Sequence, residues 1–515
     1  MTARRRKVAP AQKILYKSPM RFAVPSLLLA FLFAAATAHA QTGYVHLAPA
    51  HAHDLDAAVT QPRPEWQPLS VDPAVVWLQT RLSQPRNFLP VNPTDLQTVH
   101  LGGTAAQSLD IVLVGDGFAD YERDAFFAAA ANTSDQLLQW TPYAEYASLF
   151  NVYALFVASA QSGASHPSQN LYVDNAFGTT FDYGNVERLA VADDAKVLDA
   201  VGQALPTFDI AVVLVNDLAY GGSGGAVPVV SMAPDAISIL RHELGHNLAH
   251  LADEYTSPYP GYPVGDGEPN VTAQAHLEPL KWHAWVKPET TIPTPDAEAS
   301  SLYTPIGAFE GARYQTKGMF RPAPNCLMRS LDMAFCPVCQ EALILAIQKS
   351  TTMLRSRLPG PSLIVTCTLG QCPTFAVDTA PIATLQLSWL RDGVEVATGA
   401  SWTPGTDDVG THTLVLRVRD ATAAVRADPG HALVEEALWN LHVDATQPPP
   451  DPSLRAPDCG ACETDVLNTP SPPPGAPAGG CQAGTHGAAN WPALAALALW
   501  AVTRAGARAA RKRRT

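Results

Sequence analysis

The run His242-Glu243-Leu244-Gly245-His246, continued by Asn247-Leu248-Ala249-His250-Leu251-Ala252-Asp253-Glu254-Tyr255, decides how the rest of the chain is read. In a helix, residues four apart share a face, so the imidazoles of His242 and His246 converge on one ion while Glu243 points beside it. The apolar Ile237, Ile239 and Leu240 lead straight into the motif, which implies a buried histidine pair rather than two surface histidines. Buried imidazoles need partners, and a metal is the obvious one. Val227 to Met232, a short apolar run, reads as a strand before the helix.

Catalytic zinc takes three protein ligands and leaves a fourth position for water. His250 lies about 12 Å along the axis from His242, too far to share its ion in a straight helix. A helix ending near Ala249 lets the chain turn back and offer Asp253, the favoured third ligand, or Glu254, the runner-up. Two acids at a helix C-terminus face an unfavourable dipole, which a cation relieves. With Zn2+ activating water, Glu243 is the expected general base, and the expected reaction is hydrolysis of a peptide bond in a protein or peptide substrate without a covalent intermediate.

The 515 residues are too many for one core, so two or more domains are expected. A net charge of -13 argues against nucleic acid as a partner, since phosphates are met with Lys and Arg. Arg4 to Lys7 and Lys13, the apolar run Phe22 to Ala36 and the A-x-A site Ala38-His39-Ala40 make residues 1–40 an export signal, with the mature chain beginning near Gln41. Residues 41–105 form an N-terminal extension or prosegment. The catalytic domain is expected over 106–358, a β-sandwich over 360–446, a Pro/Gly-rich linker over 447–480 and a C-terminal tail over 481–515. That tail carries Cys481, the apolar stretch Trp491 to Val502 and a basic end, and it resembles a MYXO-CTERM sorting signal. The expected location is the bacterial cell surface or the medium, with the tail as the means of surface attachment. All eight cysteines lie from Cys326 onward, and in an oxidising compartment disulfides are the default. For Cys326 a disulfide is expected. Cys336 and Cys339 alone suggest a second zinc site, but no cysteine-rich partner stands at a standard spacing.

From Leu109 the pattern is regular. Asp110 to Val114, Phe150 to Val157 and Ile210 to Val215 read as buried strands; helices are expected from Asp120 and over Val186 to Leu205. Almost fully apolar strands alternating with helices imply a mainly parallel, covered sheet, in the element order of an α/β zincin. The strand at 226–232 would be its edge, where an extended peptide could add, beside the glycine-rich Tyr220 to Gly225. Residues 256–335 read as mostly irregular, anchored by Trp282 and Trp285, and a helix is expected from Gln340 to Leu354. Beyond Pro361 the pattern alternates: Leu385 to Leu390 with Trp389, the Asp392-Gly393 turn, and Thr411 to Arg419 resemble an all-β immunoglobulin-like sandwich.

His242 to Tyr255, in the form HExGHxxxxLxDEY, resembles the bacterial IgA peptidase family of zinc metallopeptidases. Further stretches match that family in order: Gly115 to Phe118, Leu149 to Tyr153, Ser159 to Gly163, Tyr220 to Gly225, Lys281-Trp282, Phe309 to Tyr314, Arg321-Pro322, Cys326 to Arg329 and Phe335 to Cys339. The resemblance implies a metzincin-like fold with a mixed sheet, zinc endopeptidase activity and Met328 as the Met-turn residue beneath the zinc. Ala249 and His250 stand where the family often has glycines, so the turn releasing Asp253 must form without them. Glu310 is read either as a substrate contact or as a structural ion pair. Two other functions compete with the endopeptidase: a zinc-binding surface adhesin and a cell-wall amidase.

Overall fold

The computed structural model describes residues 95–446, apart from 260, 261, 263, 264, 332, 362 and 363. The export signal, the linker, the sorting tail and Cys459, Cys462 and Cys481 lie outside the described residues.

A six-stranded mixed sheet organises the first part. Its strands are β1 (Leu96–Leu101), β2 (Leu109–Asp116), β3 (Phe150–Leu155), β4 (Ile210–Val215), β5 (Gly222–Ser223) and β6 (Val229–Ser231), in the spatial order β1-β3-β2-β4-β6-β5. The central pairs β3/β2, β2/β4 and β4/β6 are parallel; β1 and β5 run antiparallel at the two edges. Strand β2 is buried at every position, which its period of two explains. Leu109, Ile111 and Leu113 face one core with Ile210, Val212 and Leu214, whereas Val112 and Val114 face a second core with Ala211, Val213 and Val215. Helices α1 (Arg123–Leu137) and α3 (Ala236–Ala249) cover the first face through Phe126, Leu137, Ile239 and Leu240. Helix α2 (Asp194–Ala204) covers the second through Val197 and Val201.

Three local expectations change. β5, not the stretch 226–232, is the edge, because Gly222 and Ser223 double back beside β6. Only glycine fits there: a Cβ on Gly222 would lie 2.4 Å from the Val229 carbonyl oxygen. Helix α2 starts later than Val186, since Leu189 bridges to Gly222 and Val191 to Thr180, and Asp193 caps the helix by accepting from Lys196 N at 3.2 Å. Within 256–335 a hairpin forms from β7 (Phe309–Ala312) and β8 (Gln315–Arg321), and Trp282 is buried with its indole N–H donating to Gly307 O at 2.7 Å. Helix α4 (Pro337–Ser350) then begins at a proline, whose missing N–H costs nothing in the first turn.

The remaining strands are β9 (Leu354–Leu358), β10 (Val365–Thr368), β11 (Phe375–Thr379), β12 (Leu385–Arg391), β13 (Val394–Thr398), β14 (Ser401–Trp402), β15 (Gly410–Asp420) and β16 (Val434–Asp444). They form a five-stranded sheet, β10-β16-β15-β12-β13, and a three-stranded one, β14-β11-β9. Phe375 of the smaller sheet meets Trp389 and Trp439 of the larger, with ring centroids 6.4 and 5.5 Å apart. Cys367 and Cys372 form a disulfide.

The two parts share one continuous apolar core. Buried Asp420, at the end of β15, crosses between them: its carboxylate accepts from Tyr146 Oη at 2.7 Å and from Gln348 Nε2 at 3.0 Å. Removing it strands two buried donors of the first part. Asp420→Ala is expected to lower stability by about 3 kcal/mol, read from urea unfolding of the full chain; a change below about 1 kcal/mol would show that the carboxylate does not couple the parts.

Candidate metal centre

Helix α3 carries His242, Glu243 and His246 on a buried face, because Leu240 and Leu244 anchor it in the core under the sheet. Gly245 lets the helix settle onto the loop beneath: a Cβ there would stand 3.0 Å from Met328 Sδ. The helix ends at Ala249, and His250 takes the left-handed conformation, φ 52° and ψ 37°. Its N–H donates to His246 O at 3.0 Å, and Leu251 N donates to Gly245 O at 3.2 Å, closing the last turn as a glycine-terminated helix would. Thus the turn is made by exposed His250 and not at Ala249, and it sends the chain back along the helix.

That reversal brings Asp253 onto the histidines. His242 Nε2 and His246 Nε2 are 3.1 Å apart, and Asp253 Oδ1 lies 3.0 Å from the first and 3.3 Å from the second. Around a tetrahedral ion with bonds of about 2.0 Å, donors stand about 3.3 Å apart, so the three atoms match three corners of such a polyhedron. The far ring nitrogens are fixed by backbone: His242 Nδ1 donates to Leu327 O at 3.0 Å and His246 Nδ1 to Leu251 O at 2.5 Å. This leaves both Nε2 lone pairs facing the shared space. Glu254 points away, into a cluster of buried cysteines.

The electrostatics call for a cation. Burial works against an ionised Asp253, yet the neighbouring His246 and His242 hold its pKa well below the ordinary carboxylate value. Burial also opposes charge on His246, and Asp253 overrides it, lifting the imidazole to about 9. A divalent metal satisfies the carboxylate while leaving the imidazoles neutral.

Two tyrosines complete the surroundings. Tyr314 Oη donates to Asp253 Oδ2, and the Tyr255 ring stacks on His242 at 5.9 Å with its hydroxyl 3.3 Å from Nε2. For both, burial first and the Asp253 charge second push the phenol pKa well above its usual value, so each hydroxyl keeps its proton. Tyr314 sits in the two-residue turn of the β7/β8 hairpin, where Arg313 and Tyr314 both have positive φ, 51° and 62°. Such turns ordinarily take Asn-Gly. Here Arg313 N donates to Asp253 O at 2.9 Å and Tyr314 N to Tyr255 O at 2.8 Å, so tertiary hydrogen bonds hold the strained turn against the metal segment.

Glu243 lies over the glycine-rich stretch. A Cβ on Gly224 would come 1.9 Å from Glu243 Oε2, which explains that glycine by close approach rather than by flexibility. The outer side of β5 is occupied at Gly222, whose N–H donates to Arg188 O at 3.1 Å and whose carbonyl accepts from Ala190 N at 3.4 Å. Strand addition at Gly222 is therefore closed. Glu310 pairs with Lys317 at 2.7 Å on the exposed hairpin and belongs to the hairpin. The carbonyls of Leu327 and Leu251 have no signature in sequence. Tyr255 and Tyr314 do lie in the stretches that resemble the family, but residue type alone assigns them no role.

A buried His/His/Asp donor set on an α/β sheet domain places the chain in a class of proteins built to hold a metal ion. Residues 98–301 and 298–347 match the family model IgA Peptidase M64, and this part of the chain belongs to that metallopeptidase family. Among curated proteins none matches. Two solved structures show local likeness. One is a quinonprotein alcohol dehydrogenase-like protein from Bacteroides thetaiotaomicron, at 15% identity over 18% of this chain and 20% of that one, TM-score 0.14. The other is SGBP-B of a Bacteroides ovatus mixed-linkage glucan utilization locus, in complex with a mixed-linkage heptasaccharide, at 17% identity over 18% and 23%, TM-score 0.14. The chain spans about a fifth of the length of each, and likeness at this TM-score carries no argument.

His250 bears the left-handed turn without being a donor. His250→Gly is expected to raise stability by about 1 kcal/mol by relieving the Cβ penalty, with metal content unchanged. Thermal unfolding together with metal analysis checks this, and a destabilised variant would show that the turn is not strained.

Proposed function

We propose that the chain is an exported zinc-dependent endopeptidase in which His242, His246 and Asp253 hold the zinc and Glu243 is the general base. The observation that carries this reading is the buried donor triad with Glu243 alongside it, against Gly224. Zinc, when bound, supplies Lewis acidity: it makes water more acidic and polarises a peptide carbonyl. The residues of the chain do the rest. The Leu327 and Leu251 carbonyls keep the two imidazoles in the tautomer that presents Nε2. Tyr314 holds Asp253 Oδ2 and leaves Oδ1 toward the histidines. Glu243 takes the proton of the attacking water on a carboxylate oxygen and returns it to the nitrogen of the leaving amine. Gly224 keeps the space that this carboxylate occupies and that the scissile bond must approach.

In this reading the basic and apolar N-terminal segment exports the chain, and the C-terminal tail attaches it to the cell surface before or instead of release. The β-rich part acts as an immunoglobulin-like sandwich, a reading supported by its two facing sheets and the tryptophans between them. It braces the catalytic part rather than contributing to the reaction.

Glu243→Gln should abolish casein hydrolysis, a loss of about 100-fold or more, while zinc content stays at the wild-type level; an unaffected rate would remove Glu243 from the reaction. Gly224→Ala should depress the turnover rate by displacing the Glu243 carboxylate while the zinc is retained. Peptide turnover and metal analysis on one sample separate this from loss of the metal, and full activity in the variant would contradict the close approach.

A further inference from the structure

Behind the first donor set lies a second, made of residues that the reaction does not use. Cys326, Cys336 and Cys339 are buried, free thiols, and the Glu254 carboxylate is buried among them. They come from three places in the fold. Cys326 opens the loop that carries Met328, Cys336 caps α4, and Cys339 lies in its first turn. Glu254 directly follows Asp253. Adjacent residues on an extended segment point to opposite sides, so Asp253 reaches the histidines while Glu254 reaches the thiols.

The spacing fits a tetrahedral ion. Cys326 Sγ and Cys339 Sγ are 3.6 Å apart, Cys339 Sγ and Glu254 Oε1 are 3.7 Å apart, and all four donor atoms lie within 4.8 Å of one another. With bonds of about 2.3 Å to sulfur and about 2.0 Å to oxygen, the corners of such a site stand about 3.5 to 3.8 Å apart. A disulfide does not explain the cluster, because three thiols cannot all pair among themselves, whereas Cys367 and Cys372 do pair elsewhere. Hydrogen bonding accounts for only part of it. Glu254 Oε1 accepts from Asn270 Nδ2 at 3.0 Å, but Oε2 is buried with no hydrogen-bond partner among the described residues. A buried carboxylate oxygen left in that state is costly unless a cation takes it. Arg329, whose guanidinium donates to the Glu254 carbonyl at 2.9 Å, and buried Arg321 add positive charge close by, which offsets the surplus negative charge of three thiolates and a carboxylate around a divalent ion.

We propose that Cys326, Cys336, Cys339 and Glu254 form a second zinc site, closed and structural in role. Four protein donors leave no position for water or substrate, which separates it in kind from the three-donor site in front. Its effect is on position. Zinc there ties the segment bearing Asp253 to the Met328 loop and to the start of α4, reinforcing the backbone bond from Glu254 N to Met328 O at 2.8 Å that joins the first two. The Cys-x-x-Cys pair is legible in the sequence. Its partners are not, since Cys326 and Glu254 stand at no standard spacing from it.

The test uses the full chain with Cys459, Cys462 and Cys481 replaced by serine, so that only the proposed thiols and the disulfide remain. In this background a His242→Ala, His246→Ala variant should still retain one equivalent of zinc, and cobalt in its place should give the near-ultraviolet thiolate charge-transfer absorption. Adding Cys339→Ser should remove both the metal and the absorption. Should that last variant fail to fold, the parent chain decides: a mercurial thiol reagent should release one zinc while titrating three thiols, and leave the histidine-bound zinc in place. Loss of all zinc from the double histidine variant, a disulfide mapped to Cys326, or thiol titration without zinc release would each overturn the proposal. None of these readouts depends on peptidase activity, so the second site can fail or stand whatever the fate of the first.

Discussion

A carboxylate in an apolar interior needs hydrogen-bond donors or a cation to offset its burial, and Asp253 is buried against two imidazoles that converge on its Oδ1. Much of the local architecture follows from this need. Helix α3 has to stop at Ala249, the chain has to reverse at His250, and the returning segment has to pack against the helix it has just left. The loop with Leu327 and Met328 closes the arrangement from below. It supplies a carbonyl to His242 and packs its methionine under Gly245.

Strained backbone also serves the same carboxylate. His250, Arg313 and Tyr314 are non-glycine residues with positive φ, and each lies on a segment that positions Asp253. The hairpin turn keeps its conformation because its two N–H groups bond to the carbonyls of Asp253 and Tyr255. Behind it, the common core and the Asp420 contacts to Tyr146 and Gln348 tie α4 to the β-rich part.

How much could be read beforehand varied by element. The central strands β2 and β4 were legible because both faces are buried, giving continuous apolar runs. The edge was misplaced because a two-residue strand of Gly222 and Ser223 has no β-propensity to announce it; it exists only where glycine lets the backbone of Val229 come close. The β7/β8 hairpin was hidden for a related reason, since Arg313-Tyr314 lacks any Asn-Gly signal. The early start expected for α2 failed because residues 186–193 are spent on bridges to Gly222 and Thr180.

By itself the sequence determined that two histidines four apart would share a helix face with a glutamate beside them, because that depends only on helical periodicity. It also marked Asp253 and Glu254 as the acids that follow. Which of the two turns toward the histidines could not come from composition or spacing, since adjacent residues on an extended segment face opposite sides and either register was open. Tertiary structure made the choice, through the left-handed turn at His250 and the docking of Arg313 and Tyr314 on the returning segment. The same choice turned Glu254 to the far side, where three cysteines from two other segments meet it.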